Sequence, residues 1–330
     1  LTTSTTSLIR TIVYTYDNLY RLVEADYSTH STGSGQADEA FAYAYDEMGN
    51  QTAITESHST GSGPALDSTV VTTYTYNTAN QLTTARADSD NIIWHYLHDD
   101  NGNLLRQVPG GTTPAEGETR YSYDATNRLV EVELYLSGSY TLLSEAEYNG
   151  DGQRVALTTY ALGVGQTISY VNSSDGVLVT DDGSTETLYL YGQTQIAEYG
   201  PSTGSGQASW SYPLRDSNAS VRQSVDENRA LTSSQTYKPF GGTLEEVGTD
   251  ESQFGFAGAQ VDRLSGLLYA NGRYYDPATG RYLTPGGQFD PLRPSTHNPY
   301  APAQGPWWLL LPLMGIVVAW KGRRGGVGRM

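Results

Sequence analysis

The 330 residues contain no cysteine, which excludes disulfide frameworks, thiolate metal sites and cysteine nucleophiles together. The compartment stays open, because an exported protein can do without disulfides. Lysine is nearly absent: Lys238 and Lys321 stand against seventeen arginines. Basic charge is scarce overall, 19 Lys+Arg against 36 Asp+Glu for a net charge of −17, and that balance argues against a nucleic-acid partner. The chain opens at Leu1 with neither an initiator methionine nor a signal-peptide pattern, so it reads as the C-terminal part of something longer. Tyrosine is the abundant residue, 26 copies against ten Phe and Trp together. With plentiful Thr, Ser and Gly and few strong helix formers, this composition predicts an all-β chain.

One phrase recurs: aromatic-x-Tyr, an acidic or amide turn, then Arg or Gln and Leu. It stands at Tyr14-Thr-Tyr16-Asp17, Tyr43-Ala-Tyr45-Asp46, Tyr74-Thr-Tyr76-Asn77 and Tyr121-Ser-Tyr123-Asp124. A looser copy begins at Trp94-His95-Tyr96, and a degenerate one at Tyr148-Asn149. First aromatics are separated by 29, 31, 20 and 27 residues, so the period is irregular while the unit persists. In a strand the two tyrosines share a face. The Asp-x-x-Asn/Gly cluster that follows is turn chemistry, and Asn101-Gly102 and Asn149-Gly150 are signals for two-residue hairpins. Each unit therefore predicts a β-hairpin, and hairpins must stack side by side to bury a face. Thr-Gly-Ser-Gly segments at 32–35, 60–63 and 203–206 read as long flexible hairpin loops.

These units resemble the YD repeat of Rhs proteins, of bacterial wall-associated proteins, of the C component of insecticidal Tc toxins and of teneurins. Farther on, Gly266-Leu-Leu-Tyr269 and Arg273-Tyr274-Tyr275-Asp276-Pro277-Ala-Thr-Gly280-Arg281, followed by Tyr282-Leu-Thr-Pro285, resemble the Rhs core-associated segment. Tyr237-Lys238-Pro239-Phe240-Gly241 resembles a short element of the same family. The resemblance implies stacked hairpins spiralling into part of a hollow β-shell, which the core-associated segment closes by curling inward. It also implies containment or display as the activity, with any chemistry residing in a variable C-terminal domain.

Candidate chemistry is sparse. In family members that carry an effector, aspartates near the core-associated segment cleave the chain, by the logic of two carboxylates sharing a proton. Asp276 and Asp290 are the weak candidates here, because Gly286-Gly287 stands where the family has Asp-Pro and no terminal Asp-Pro-x-Gly follows. Otherwise the chain reads as non-catalytic. His95 and His98 fall on opposite faces of a strand, and Asp99–Asn103 lacks the calcium-loop glutamate, Gly110 standing at its twelfth position. No cofactor or metal is expected.

Beyond Asp290 there is no acidic residue. A run at 307–320, bounded by Trp307, Trp308 and Trp320, precedes Lys321, Arg323, Arg324 and Arg329. Aromatic ends and a basic flank are the marks of a membrane anchor with a cytoplasmic C-terminus, although the strictly apolar stretch is shorter than a full span needs. The expected order is a YD-repeat array over 1–235, a core-associated segment over 236–290, a Pro-rich linker over 291–306 and a single transmembrane helix with basic tail over 307–330. The expected protein is a non-catalytic bacterial cell-surface shell, extracellular in its β region. Its partners would be the membrane, the remainder of its own polypeptide and a surface glycan or protein. The alternative is a toxin-carrier shell that encloses an effector and cleaves itself.

Overall fold

The computed structural model describes residues 9–30, 39–59, 68–111, 113–174, 176–192, 194–201, 208–248, 252–270, 272–286 and 298–302. Twenty strands, from Ile9–Tyr16 to Thr243–Gly248, form one antiparallel sheet. Each strand pairs with its neighbour in sequence. Alternation drives this arrangement: in Glu39–Tyr45, Phe41 and Tyr43 are buried while Ala42 and Ala44 are exposed, so one face of the sheet is apolar.

The wall curls until its last hairpin meets its first ones. The turn after Leu231–Tyr237 lies against the strands Leu22–His30, Glu39–Tyr45 and Gln51–His58. Tyr27 Oη donates to the Tyr237 carbonyl at 2.9 Å, Lys238 Nζ pairs with Glu56 at 2.7 Å, and the Phe240 ring stands edge-on to Tyr43 at 5.0 Å. The apolar face thus becomes an inner face. Against it packs a second, four-stranded sheet made of Gln260–Val261, Leu268–Ala270, Arg273–Asp276 and Arg281–Tyr282. Phe254, Leu267, Tyr274 and Leu283 from this closing segment share one core with Tyr121, Leu129, Val132, Leu157 and Val221 of the wall.

The all-β shell architecture is as expected, with one local correction. Asn101-Gly102 and Asn149-Gly150 do not form two-residue hairpins. Each lies inside a five-residue turn in which Gly102 (φ 88°) and Gly152 (φ 81°) take the left-handed position. The two-residue turns are instead Ser137-Gly138 and Leu162-Gly163, with positive φ at both residues. Leu162 carries no turn signal, so local sequence could not point to it.

Among the described residues no helix is long and apolar enough to cross a membrane. The anchor expected at 307–320, the basic tail, Asp290 and the Thr-Gly-Ser-Gly segments lie outside the described residues.

Candidate functional site

The repeated turn has one construction. In Asp17–Arg21, Asp46–Asn50, Asp99–Asn103 and Asp124–Arg128 the first residue's Oδ1 accepts the N–H of the fifth. The fourth residue is left-handed: Tyr20, Gly49, Gly102 and Asn127. The fifth side chain returns to the first residue's Oδ2, from Arg21 at 2.7 Å, Asn50 at 2.8 Å, Asn103 at 2.8 Å and Arg128 at 2.6 Å. Where the first residue is asparagine, donor and acceptor exchange roles. Asn77 Nδ2 donates to Gln81 Oε1 at 2.5 Å and Asn149 Nδ2 to Gln153 Oε1 at 3.1 Å. Aspartate with Arg or Asn, and asparagine with Gln, are thus two solutions to one hydrogen-bond problem. Burial acts to raise the Asp124 pKa, but hydrogen bonds from Arg128 and Thr126 bring it down to about 2.

Each turn shifts the strand register by one residue, as between Thr15 and Tyr16 or Ala44 and Tyr45. Such a bulge disrupts the ladder locally. The second tyrosine of the next unit occupies the carbonyl five residues beyond the turn acid. Tyr45 Oη donates to Leu22 O at 2.7 Å, Tyr76 to Gln51 O at 2.7 Å, Tyr123 to Leu104 O at 2.8 Å and Tyr148 to Leu129 O at 2.6 Å. The first tyrosines point inward instead: Tyr43, Tyr74 and Tyr121 are buried, and burial raises their pKa. Tyr14, in the first strand, is exposed.

The looser fourth unit is out of phase with the sequence reading. Tyr96, not Trp94, sits three residues before the turn acid, and His98 takes the place of the second tyrosine. The tyrosine staple is interrupted there, and the closing segment fills the gap. The Tyr300 ring stands edge-on to His98 at 6.1 Å, and its hydroxyl donates to Gly102 O at 2.8 Å. Arg281 donates to Asn50 Oδ1 at 3.2 Å and to Asn80 O at 2.5 Å, with Tyr76 and Tyr300 on its flanks. Asn298 Nδ2 joins the same Asn50 oxygen at 2.6 Å. Burial, then the Arg281 cation, depress His98 to about 4 against a smaller opposing pull from Asp99.

The rest of the core-associated motif is equally committed to structure. Asp276 is buried and caps its own turn, accepting Ala278 N–H at 2.8 Å and Thr279 Oγ1 at 2.9 Å, while Gln107 Nε2 reaches it at 3.3 Å. Burial raises its pKa against those bonds. None of these partners is a carboxylate, so the arrangement is a turn cap and not a dyad. Gly280 closes that turn with φ 68°. Gly266, at φ 73°, donates its N–H to Asp262 O. Tyr275 Oη reaches Phe240 O, and Arg273 lies 3.7 Å from the Tyr282 ring centre. Tyr274 Oη accepts from the buried Arg154, which also donates to Gln260 Oε1 and stacks on Tyr269. An open cavity of about 330 Å³ between the last hairpin and the closing segment is lined by Tyr237, Thr243, Glu246, Phe256, Asp262 and Arg263 among others. Its buried Asp262 is held by Ser144 Oγ at 2.9 Å.

Several of these residues escaped the sequence reading. Asn298 and Tyr300 lie outside any recurring phrase, and Arg154, which falls in the degenerate copy that begins at Tyr148, gave no sign of its bond to Tyr274. The turns at Asp216 and Asp226 keep the same geometry, with Ala219 and Arg229 left-handed. Their fifth residues, Ser220 and Ala230, carry no long donor, so only the bare Asp could have signalled them.

Known proteins bear the same pattern. Residues 98–135 match the RHS repeat model, and residues 207–303 match the teneurin YD-shell model. The tRNA3(Ser)-specific nuclease WapA of Bacillus spizizenii is 26% identical over 84% of this chain and 11% of its own length. Teneurin-1 of Gallus gallus is 27% identical over 64% of this chain and 9% of its own length. The chain thus spans about a tenth of these relatives. In structure it is similar to TcdB2–TccC3 without its hypervariable C-terminal region, with a TM-score of 0.58 at 17% identity over 92% of this chain and 17% of that one. It is also similar to a chain of the Photorhabdus luminescens Tc holotoxin pore, with a TM-score of 0.56 at 17% identity over 95% of this chain and 17% of that one. Repeat turns, closing motif and curled wall agree with these matches: the chain resembles the Rhs/YD-repeat proteins and is built on their shell fold.

Proposed function

We propose that this chain is a non-catalytic wall and closure of a YD-repeat shell, displayed outside the cell and held there by residues 307–320. The observation that carries this reading is the engagement of the core-associated motif. Asp276, Arg281, Tyr274 and Tyr275 are tied to wall and turn atoms, and no carboxylate is among the hydrogen-bond partners of Asp276. A chain with a net charge of −17 and few lysines suits an outer surface that stays solvated. The Trp-flanked run ahead of Lys321, Arg323 and Arg324 supports an anchor with its basic end inside.

A toxin-carrier shell is the second reading, favoured by the nuclease name of one relative and the toxin assembly of the structural neighbours. In that reading the shell encloses an effector, and the chain is cut near Asp290. Membrane fractionation of bacteria expressing the chain with different tags at its two ends, combined with protease shaving of intact cells, separates the two. Both tags in the membrane fraction, with only the N-terminal one shaved, is the expected result. Tags that part into a large soluble piece and a small C-terminal one would replace it with the carrier reading.

A further inference from the structure

The outer face of the wall changes character partway along. Over Leu129–Leu136, Ser139–Tyr148 and Arg154–Ala161 it carries Glu131, Glu133, Glu145, Glu147 and Thr158, which alternate with the buried Val132, Ala146 and Leu157. Over the next five strands, Val164–Asn172, Val177–Asp181, Glu186–Tyr191, Gln195–Pro201 and Ala208–Arg215, it turns apolar. One row runs straight across all five. Val171 stands opposite Val179, Val179 opposite Leu188, Leu188 opposite Tyr199 and Tyr199 opposite Trp210. Tyr170, Thr180, Tyr189 and Glu198, which alternate with these residues, are buried, so the row faces outward.

Val171 is 56% exposed, Leu188 48% and Trp210 36%, and the neighbouring Leu190 and Tyr212 are exposed too. The rings lean on one another, Tyr199 on Trp210 at 5.0 Å between centres and Trp210 on Tyr212 at 6.4 Å. No charged side chain stands in the row. Asp181 and Glu186, opposite each other in register, lie two residues along the strands at its margin. A contiguous apolar patch marks an interaction site, and tyrosine and tryptophan without charge are what the core of an interface contains.

The row also grows in one direction: Val, Val, Leu, Tyr, Trp. A two-fold axis laid along Glu186–Tyr191 would set Leu188 on its own copy, Val179 on Tyr199 and Val171 on Trp210. Facing pairs then enlarge away from the axis, which fills the widening gap between two convex walls. A second copy supplies this reversed taper by symmetry alone. Two chains of net charge −17 repel over most of their surface, and this uncharged row is where they can meet. It is about 19 Å across, from four strand spacings. With Leu190 and Tyr212 it offers several hundred Å² per copy, the low end for specific association.

From this we infer that the row from Val171 to Trp210 is a homodimer interface, two walls meeting back to back about an axis along Glu186–Tyr191. The chain has no cysteine, so single cysteines report without background. In bacteria expressing the full chain, a short, membrane-permeant bis-maleimide should link L188C to itself. It should link V171C to W210C when the two variants are co-expressed, while W210C alone, and T75C on the polar part of the same face, give no dimer band. The reagent crosses membranes, so the result is independent of surface display.

Leu188→Glu places two carboxylates on the axis and should cut the V171C–W210C link about tenfold or more, with an unchanged melting temperature showing that the wall is intact. Glu186→Gln removes a carboxylate that faces its own copy and should strengthen the link. Absence of an L188C dimer, or equal linking at L188C and T75C, overturns the inference. So does a link that Leu188→Glu and Glu186→Gln leave unchanged, or W210C linking to itself as well as to V171C, which would mean another axis. L188C linked only to a different cellular protein would assign the row to that partner and overturn it as well.

Discussion

A phenol that accounts for a single carbonyl should be measurable one atom at a time. Tyr45→Phe leaves the ring in place and strips Leu22 O of its partner, so urea unfolding should show a loss of about 1–2 kcal/mol. Tyr14→Phe, on an exposed ring, should change stability by under about 0.5 kcal/mol. Equal losses at the two positions would mean the hydroxyl at Tyr45 does not act as a staple. His98 offers a pH test. Its folded pKa of about 4 lies below its ordinary 6.5, so between those values the unfolded chain binds more protons and stability rises with pH. The neutral ring's contribution is complete above pH 6.5 and is lost progressively toward pH 4, by roughly 2–3 kcal/mol. In an NMR titration the His98 ring should change charge near pH 4; a midpoint near 6.5 would show that Tyr300 and Arg281 do not enclose it.

The two turn types predict opposite responses at the level of the hairpin. Leu162 is fully exposed at φ 52° in a two-residue turn, a position where asparagine is far more at ease. Leu162→Asn should therefore stabilise by about 0.5–1 kcal/mol, read as a higher melting temperature. Gly49 and Gly102 hold the same left-handed place in five-residue turns, but a Cβ on Gly49 would meet open space while one on Gly102 would sit 2.6 Å from Tyr300 Oη. Gly49→Ala should cost about 1 kcal/mol and Gly102→Ala about 2–3 kcal/mol. The difference measures the fit of Tyr300, and equal costs would deny it. Much of this level was legible beforehand, because Tyr-x-Tyr-Asp joins a two-residue alternation to a turn former and both act locally. The phase of the fourth unit was not: Trp94 and Tyr96 satisfy the phrase as well as Tyr96 and His98 do, and only the position relative to Asp99 decides. Nor could the length of the turn at Asn149 be read, since Asn-Gly serves a two-residue hairpin as readily as a five-residue one. Asn298 and Tyr300 were invisible for another reason. Their partners, Asn50 and Gly102, lie 248 and 198 residues away, beyond any local pattern.

Over the whole molecule, wall and closing segment meet at a few buried polar links. Arg281 is the most connected of them, and Arg281→Ala would remove the common donor of Asn50, Asn80 O and Asn298, leaving the Asn50 oxygen only Asn298 Nδ2 and the Asn298 oxygen only Tyr300 N–H. The expected cost is about 3 kcal/mol or more, concentrated in one place. Amides of Arg273–Asp276 should exchange at least tenfold faster while those of Arg154–Ala161 stay protected. A uniform acceleration would show that wall and closing segment unfold as one unit. The curled sheet also has two unlike rims. On one, the connections at 17–21, 46–50, 77–81, 99–103, 124–128 and 149–153 are all five residues long, each placing a tyrosine or a fifth-position donor against its neighbour, before the same rim shortens to four residues at 173–176 and three at 192–194. On the other, connections range from the two residues Ser137 and Gly138 to the nine between His58 and Ser68. The uneven spacing of the repeat is written entirely at that second rim. New sequence can therefore enter there, at 32–35 or 60–63, for little more than the entropy of a longer loop, whereas one residue added inside a five-residue turn would carry its fifth-position donor away from the turn acid. A lineage of such chains can elaborate one rim of the sheet freely and must keep the turn acid and its fifth residue in step on the other.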